Sequence, residues 1–417
     1  MKRAFVVSVI LLIVMACQPH SLLADSGRTI EKSFPVKMGG KLVLDIDTGG
    51  DVEIAGWDKA EIAATVRIDG DDADRVNVAF EPGSSLLRIH SECEKHHHVD
   101  IDLHFTIKVP AKCDVEIDSK GGEVSIQGVE GELSGKTMGG ALELARVKGG
   151  IRLETMGGDV KVEDSEANGM VSTMGGEVTI RNVKGNLKGH TMGGSVTYDN
   201  VTGRSASSGN DDVHISTMGG DIKINKTEGK VSAKTMGGDI DVSKAEAVHV
   251  TTMGGDINVD EAPAGATVTT MGGDVTIHSA GKYVKAKTMG GSIEVDAVDG
   301  GADATTMGGD ITVTMVGDPK KGDREVNLSS MGGDVTLMVP EGLSMKFDLE
   351  IKYTKKHHGD CRIESDFPMD IKESPDWEHS FWGEPCKHIY GTGSVAGGEH
   401  LIKIRTVNGK ITIKRAA

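Results

Sequence analysis

Aromatic side chains make up only 3 % of this 417-residue chain while glycine supplies 57 residues, so its interior must be thin, filled by small and β-branched groups. Basic charge is short as well. With 46 Lys and Arg against 63 Asp and Glu, the formal charge is −17, and a surface with no concentrated positive charge excludes nucleic acid as a partner. Beyond the first residues no apolar run is long enough to span a membrane. No Ser/His/Asp constellation, Gly-Lys-Ser phosphate loop or His-Glu-x-x-His motif occurs. No catalytic residue, cofactor or metal is therefore assigned from the sequence.

What the chain has is repetition. Ten copies of Thr-Met-Gly-Gly and one of Ser-Met-Gly-Gly place Met at 138, 156, 174, 192, 218, 236, 253, 271, 289, 307 and 331. Most steps are 18 residues; the exceptions are 26, 17 and 24. A period this short means that each unit is one supersecondary element that must stack on its neighbours to bury an apolar face. The predicted fold is an all-β, single-chain β-solenoid, parallel β-helix-like, with about 18 residues per coil and capped ends.

Within one unit, the first, third and fifth residues before Met are apolar or Thr, as in Ile151, Leu153 and Thr155, or Val248, Val250 and Thr252. Polar residues alternate with them, which is the signature of a strand with one buried face. After each Gly-Gly a second strand carries pairs such as Val160 and Val162, or Ile240 and Val242. The two inward sets differ in parity, so the chain slips phase at Thr-Met-Gly-Gly, where glycine permits a turn or bulge. Met shares the parity of the following strand and is expected inward, next to an inward Thr. Twelve rungs from Lys120 to Met331 would stack to roughly 60 Å at one strand spacing each.

The N-terminus reads Met-Lys-Arg followed by an apolar run from Ala4 to Ala16, the layout of a secretory signal. Val14-Met15-Ala16-Cys17 resembles a lipoprotein signal-peptidase box, in which Cys17 becomes the lipidated first residue; ordinary cleavage after Ala24 is the competing reading. Four cysteines then remain, Cys93, Cys113, Cys361 and Cys386. In an exported chain they are expected to pair locally as Cys93 with Cys113 and Cys361 with Cys386.

The chain divides into a signal peptide (1–16), a tether and first strand (17–44), an irregular N-terminal β segment (45–118), the regular repeat (119–340) and a C-terminal β segment and cap (341–417). The closing run Leu401 to Ile413 reads as a terminal hairpin or capping rung. The Gly-Gly-Asp-Val-x-Val units, together with Gly391-Thr392-Gly393-Ser394 and Ile404-Arg405-Thr406-Val407-Asn408-Gly409-Lys410-Ile411-Thr412-Ile413, resemble the bacterial putative-adhesin β-strand-repeat family. The resemblance covers roughly Gly49 to Ile413. It implies an envelope-associated β-solenoid and no catalytic residues.

Several residue groups remain as candidate sites. The Met row is either core or an exposed soft-metal or docking stripe, and parity favours core. The Thr row invites comparison with ice-binding arrays, but its parity places the hydroxyls inward at the corner. Three residues after Met stand Asp159, Glu177, Ser195, Asp221, Asp239, Asp256, Asp274, Ser292, Asp310 and Asp334. Serine twice in place of Asp favours turn capping over a cation site. His96-His97-His98 with His104, and His357-His358 with Asp360, are the nearest approaches to metal-ligand clusters, although consecutive strand residues face opposite sides. The expected function is a non-catalytic exported envelope protein, adhesin-like or scaffolding, held at the membrane by a lipid on Cys17. Its expected partner is a repetitive envelope glycan or protein surface. A polysaccharide-active enzyme on a β-helix, or a cation- or ice-binding solenoid, is the alternative.

Overall fold

The computed structural model describes residues 27–93, 100–202, 212–379 and 384–416. The signal segment, Cys17, the His96-His97-His98 triplet and most of the insertion between Met192 and Met218 lie outside the described residues. The described chain is all-β, with two short 3-10 turns and no α-helix among the described residues.

Strands fall into two parallel rows. The first row holds the strand that precedes each Met, such as Leu133–Thr137, Lys148–Thr155 and Glu166–Thr173. The second holds the strand that follows each Gly-Gly, such as Leu142–Ala145, Val160–Glu163 and Val178–Arg181. Register follows the repeat: Leu133 pairs with Ile151, Ile151 with Gly169 and Gly169 with Leu187. In the second row Val160 pairs with Val178 and Val178 with Val196. Irregular spacings do not break the rows. Gly189 pairs with Ile215 across the 26-residue step, Val231 with Val248 across the 17-residue step, and Ala302 with Val326 across the 24-residue step.

Both rows turn one face to a shared core. In Lys148–Thr155 the alternation buries Ile151, Leu153 and Thr155 while Arg152 and Glu154 face water. A third buried position, including Val147, Val183 and Val201, fills the return from the second row to the next coil. One rung departs from the aliphatic pattern. Tyr198 is wholly buried, its hydroxyl donating to the Leu187 carbonyl at 2.8 Å. Its ring lies over Gly189, where an added Cβ would come within 3.0 Å of the Tyr198 hydroxyl. Burial pushes the phenol pKa well above its ordinary value.

The ends depart from nearest-neighbour stacking. At the N-terminal end Gly40–Ile46 lies between Leu86–Cys93 and Cys113–Ser119, parallel to both. Asp51–Trp57 likewise lies between Asp102–Pro110 and Val124–Gln127. The C-terminal end repeats the device. His400–Val407 pairs on one side with Val326–Ser330 and on the other with Met345–Thr354. Ile411–Arg415 sits between Val335–Val339 and Ile363–Ser365. The closing stretch is thus neither a hairpin nor the outermost rung: the first and last coils in sequence are each interior in space. Antiparallel strands lie outside them, including Arg28–Pro35 on Glu61–Asp69 and Pro385–Val395 on Met345–Thr354. They end the parallel rows and become the edge strands of the sheet themselves, Arg28–Pro35 and Val76–Pro82 each pairing on one side.

Candidate functional site

The corner Thr-Met-Gly-Gly-Asp is built by bonds that connect one coil to the next. Each Thr hydroxyl donates to the carbonyl of the second glycine of the preceding coil. Thr173 reaches Gly158 at 2.8 Å, Thr191 reaches Gly176 at 2.8 Å and Thr270 reaches Gly255 at 2.9 Å. The same oxygen accepts from its own second glycine, as Gly176 N–H does to Thr173 at 3.2 Å. Thr155, Thr191 and Thr235 are no more than 3 % exposed, so the row is inward and presents no Thr array to water or ice.

The second glycine is required by close approach. A Cβ on Gly158, Gly176 or Gly220 would stand 1.9, 2.2 or 2.1 Å from the carbonyl oxygen of the equivalent glycine one coil earlier. The first glycine is less constrained; at Gly175 the nearest atom to an added Cβ is 3.5 Å away. The acidic row caps backbone. Asp159 accepts from the amide of Glu177 at 2.8 Å, Asp239 from that of Asp256 at 2.8 Å and Asp274 from that of Ser292 at 2.7 Å. Ser195 and Ser292 do the same with their hydroxyls, to Asp221 at 3.3 Å and Asp310 at 3.2 Å. A hydroxyl therefore serves as the capping oxygen in the same position as a carboxylate, though at the longer distance of a neutral acceptor.

Methionine is the exception, and here the structure corrects the parity reading. All eleven Met side chains of the repeat are exposed, from 39 % at Met192 to 59 % at Met331. The alternation of the preceding strand continues one residue past Thr, so Thr points in and Met out. The parity slip falls at the two glycines that follow, where the chain bends. Backbone bonds hold the methionines in step: the amides of Gly237, Gly254, Gly272 and Gly290 donate to Met218, Met236, Met253 and Met271 at 3.0 to 3.1 Å. Met192 and Met218 occupy adjacent rungs despite their spacing, since Gly219 N–H donates to Met192 O at 3.1 Å. The result is one continuous row of thioethers along a single edge of the stack. Surface apolar residues scattered singly need no explanation, whereas a contiguous line of them does.

Among the described residues the histidine candidates do not converge. His104 faces Asp51 and Asp102 at 3.5 and 3.3 Å. His357 Nδ1 lies 3.2 Å from the Thr354 hydroxyl, and His358 packs beside Tyr353 and Trp377. Among the described residues no three of His, Cys, Asp or Glu gather as a metal-ligand group. A shallow groove of about 600 Å³ crosses the outer face of the first row, lined by His214, Ser232, His249, Thr267 and Tyr283.

The cysteine pairing expected at the N-terminal end is overturned. Cys113 stands opposite Gly40, at the start of Gly40–Ile46, whereas Cys93 follows Ser91, the partner of Ile46 at its other end. The length of that strand separates the two thiols, far beyond the roughly 7 Å Cα limit for a disulfide. Burial pushes the Cys113 thiol up to about 11. Cys361 and Cys386 share the C-terminal segment and stand as free, buried thiols. Cys386 lies opposite Thr354, with its Sγ 3.7 Å from the Glu378 carbonyl.

The exposed Met row was the feature that parity misplaced. Its sequence signal was Lys120, which occupies the Met position in Ser119-Lys120-Gly121-Gly122 and is exposed. A corner that accepts lysine there is a corner whose second residue faces water.

The family described as Toastrack DUF4097 matches residues 41–279 and again 226–414. No curated relative matches the chain. Among solved structures, one described as a putative adhesin from Parabacteroides merdae is 13 % identical, covering 65 % of this chain and 97 % of its own, with a TM-score of 0.28. Another so described, from Bacteroides fragilis, is 16 % identical over 64 % of this chain and 97 % of its own, with a TM-score of 0.28. A third, described as a putative lipid binding protein from Parabacteroides distasonis, is 12 % identical over 67 % of this chain and 98 % of its own, with a TM-score of 0.23.

Proposed function

The chain belongs to the Toastrack DUF4097 family, and from that premise we propose that it is a non-catalytic, exported envelope protein, an adhesin-like or scaffolding β-solenoid of 18-residue coils with capped ends. The observation that carries this reading is the corner itself, repeated with the same bonds from Thr155 to Ser330. A surface made of equivalent rungs suits weak multivalent contact with an equally repetitive partner, such as an envelope glycan or another solenoid. Each rung then adds a similar increment at high effective concentration. Catalysis asks for the opposite, one irregular cluster of groups held in unique geometry. Anchoring through a lipid on Cys17, after removal of residues 1–16, belongs to the same reading. No helix among the described residues is long and apolar enough to cross a membrane.

Glycan-array and envelope-fraction binding of the mature chain tests the proposal, beside a hydrolase and lyase screen. Binding that weakens gradually as central rungs are deleted supports it. Turnover abolished by point changes at one non-repeated cluster overturns it, with the His214 and His249 groove the first place to look. For the anchor, Cys17→Ser should release the chain from the membrane fraction. Unchanged fractionation would favour cleavage after Ala24.

A further inference from the structure

Four of the five corner positions have a reason inside the molecule. Thr bonds across coils, the second glycine admits no Cβ, the first is tight on some rungs, where a Cβ on Gly308 or Gly290 would stand 3.0 or 3.1 Å from a carbonyl of the preceding coil, and Asp caps the next amide. Methionine has none. It is half exposed, and the corner forms without it: Lys120 holds the same position, with Met138 N–H donating to Ser119 O at 3.2 Å just as Met156 N–H donates to Thr137 O at 3.2 Å. Yet over eleven consecutive rungs the position never becomes Leu, Ile or Val, while the capping position beside it varies among Asp, Glu, Ser and Ala. Apolarity alone would be met by any aliphatic residue. What methionine adds is a soft, polarizable sulfur donor on a side chain with three rotatable bonds.

The rungs are in register, so successive Met side chains leave one edge about 4.8 Å apart. Two metal–sulfur bonds of about 2.3 Å, the length typical of zinc thiolates, span nearly the same distance. Neighbouring thioethers can therefore hold one ion between them with little rearrangement. Thioethers select soft ions over Mg²⁺, Ca²⁺ or Mn²⁺. Asp159, Asp239 and Asp274, three residues beyond Met, are engaged as backbone caps, and the chain's formal net charge of −17 favours cations over anions as ligands. We propose that the Met row is a ladder of binding sites for a soft monovalent metal ion of the Cu(I) class, each ion held between the thioethers of adjacent rungs without change of oxidation state. This inference stands apart from the adhesion reading, since it concerns sulfur chemistry and not the glycan or protein partner.

The test uses the full-length chain labelled with methyl-¹³C methionine and titrated with Ag⁺ in chloride-free buffer, a redox-inert probe of the same class. The expected result is movement of the row's methyl resonances, saturating at roughly one ion per two methionines. Met170, Met315, Met338, Met345 and Met369, outside the row, should stay in place. The triple variant Met236→Leu, Met253→Leu and Met271→Leu keeps an apolar surface at exposed positions. It should retain its circular dichroism and melting temperature while taking up proportionately fewer ions. Row methyls that do not move, including the case in which the cysteine thiols take all the silver, overturn the proposal. So does a triple variant with unchanged stoichiometry.

Discussion

Thr406 donates a 2.6 Å hydrogen bond to the carbonyl of Gly333, 73 residues earlier, and so repeats at the last coil the bond that Thr306 makes to Gly291 over 15 residues. Thr406-Val407-Asn408-Gly409 is thus a diverged corner, with Asn408 taking the positive φ of 57°. Replacing Thr406 by Val should cost about 1–3 kcal/mol, because the Gly333 carbonyl loses a buried donor. Deleting residues 400–417 should cost far more, since two strands vanish from between occupied neighbours. Urea unfolding of the two variants checks the order.

The paired glycines should separate sharply. Gly176→Ala forces a Cβ to within 2.2 Å of Gly158 O, whereas Gly175→Ala meets nothing closer than 3.5 Å. We expect a loss of about 1–3 kcal/mol or more for the first and little change for the second. Thermal melts showing equal losses would contradict the close-approach account.

Tyr198 and Gly189 form a large–small pair across the core. Tyr198→Val leaves a cavity and Gly189→Val crowds the ring, so each alone is destabilising. Together they restore the aliphatic pattern of the neighbouring rungs, where Ile180 and Ile224 hold the positions equivalent to Tyr198. The double variant should be more stable than the sum of the singles predicts, with a coupling of about 0.5–3 kcal/mol. A double-mutant cycle by denaturant titration measures it.

The thiols give a chemical test. With its pKa raised to about 11 by burial, Cys113 should resist iodoacetamide at pH 8 in the folded state and react only after unfolding, because the thiolate is the reactive form. Peptide mapping without reduction should find no link between Cys93 and Cys113. Cys361 with Cys386 remains our proposed pairing for the oxidised, exported protein.

His278 sits between Asp260 and Asp296, with Nδ1 2.6 Å from Asp296 Oδ2. The Asp296 hydrogen bond raises its pKa above the ordinary 6.5. A raised folded-state value means that its small contribution to stability is present below pH 6.5 and lost as pH rises through the folded pKa. Because the ring is largely exposed, solvent screens the effect. An NMR titration should show His278 titrating above 6.5 and moving downward in Asp296→Asn.

Much of this was legible because the repeat multiplies every local signal. Ile151, Leu153 and Thr155 face inward as alternation requires, and the Ser195 and Ser292 substitutions correctly marked a capping oxygen. Alternation carried backward from Val160 puts the Met row inward, whereas the bend resets the alternation after Met156 and leaves Met156 exposed. The cysteine pairing failed for a different reason. Sequence distance between Cys93 and Cys113 approximates one coil, but Gly40–Ile46 lies between the two strands that carry them, and nothing local in the sequence records that interposed strand. The interior position of the last coil was likewise hidden, since Ile402 finds Val326 across 76 residues.

Those enclosed end coils also govern how such a rod can change length. A central coil bonds only to the coils on either side of it, so one more or one fewer 18-residue unit leaves both closures untouched. The slots that receive Gly40–Ile46 and His400–Val407 depend instead on chain that leaves the stack and returns. Growth by duplication is therefore open to the middle and closed to the ends. Near-identical central rungs between two irregular termini are what repeated internal duplication within fixed closures would leave behind.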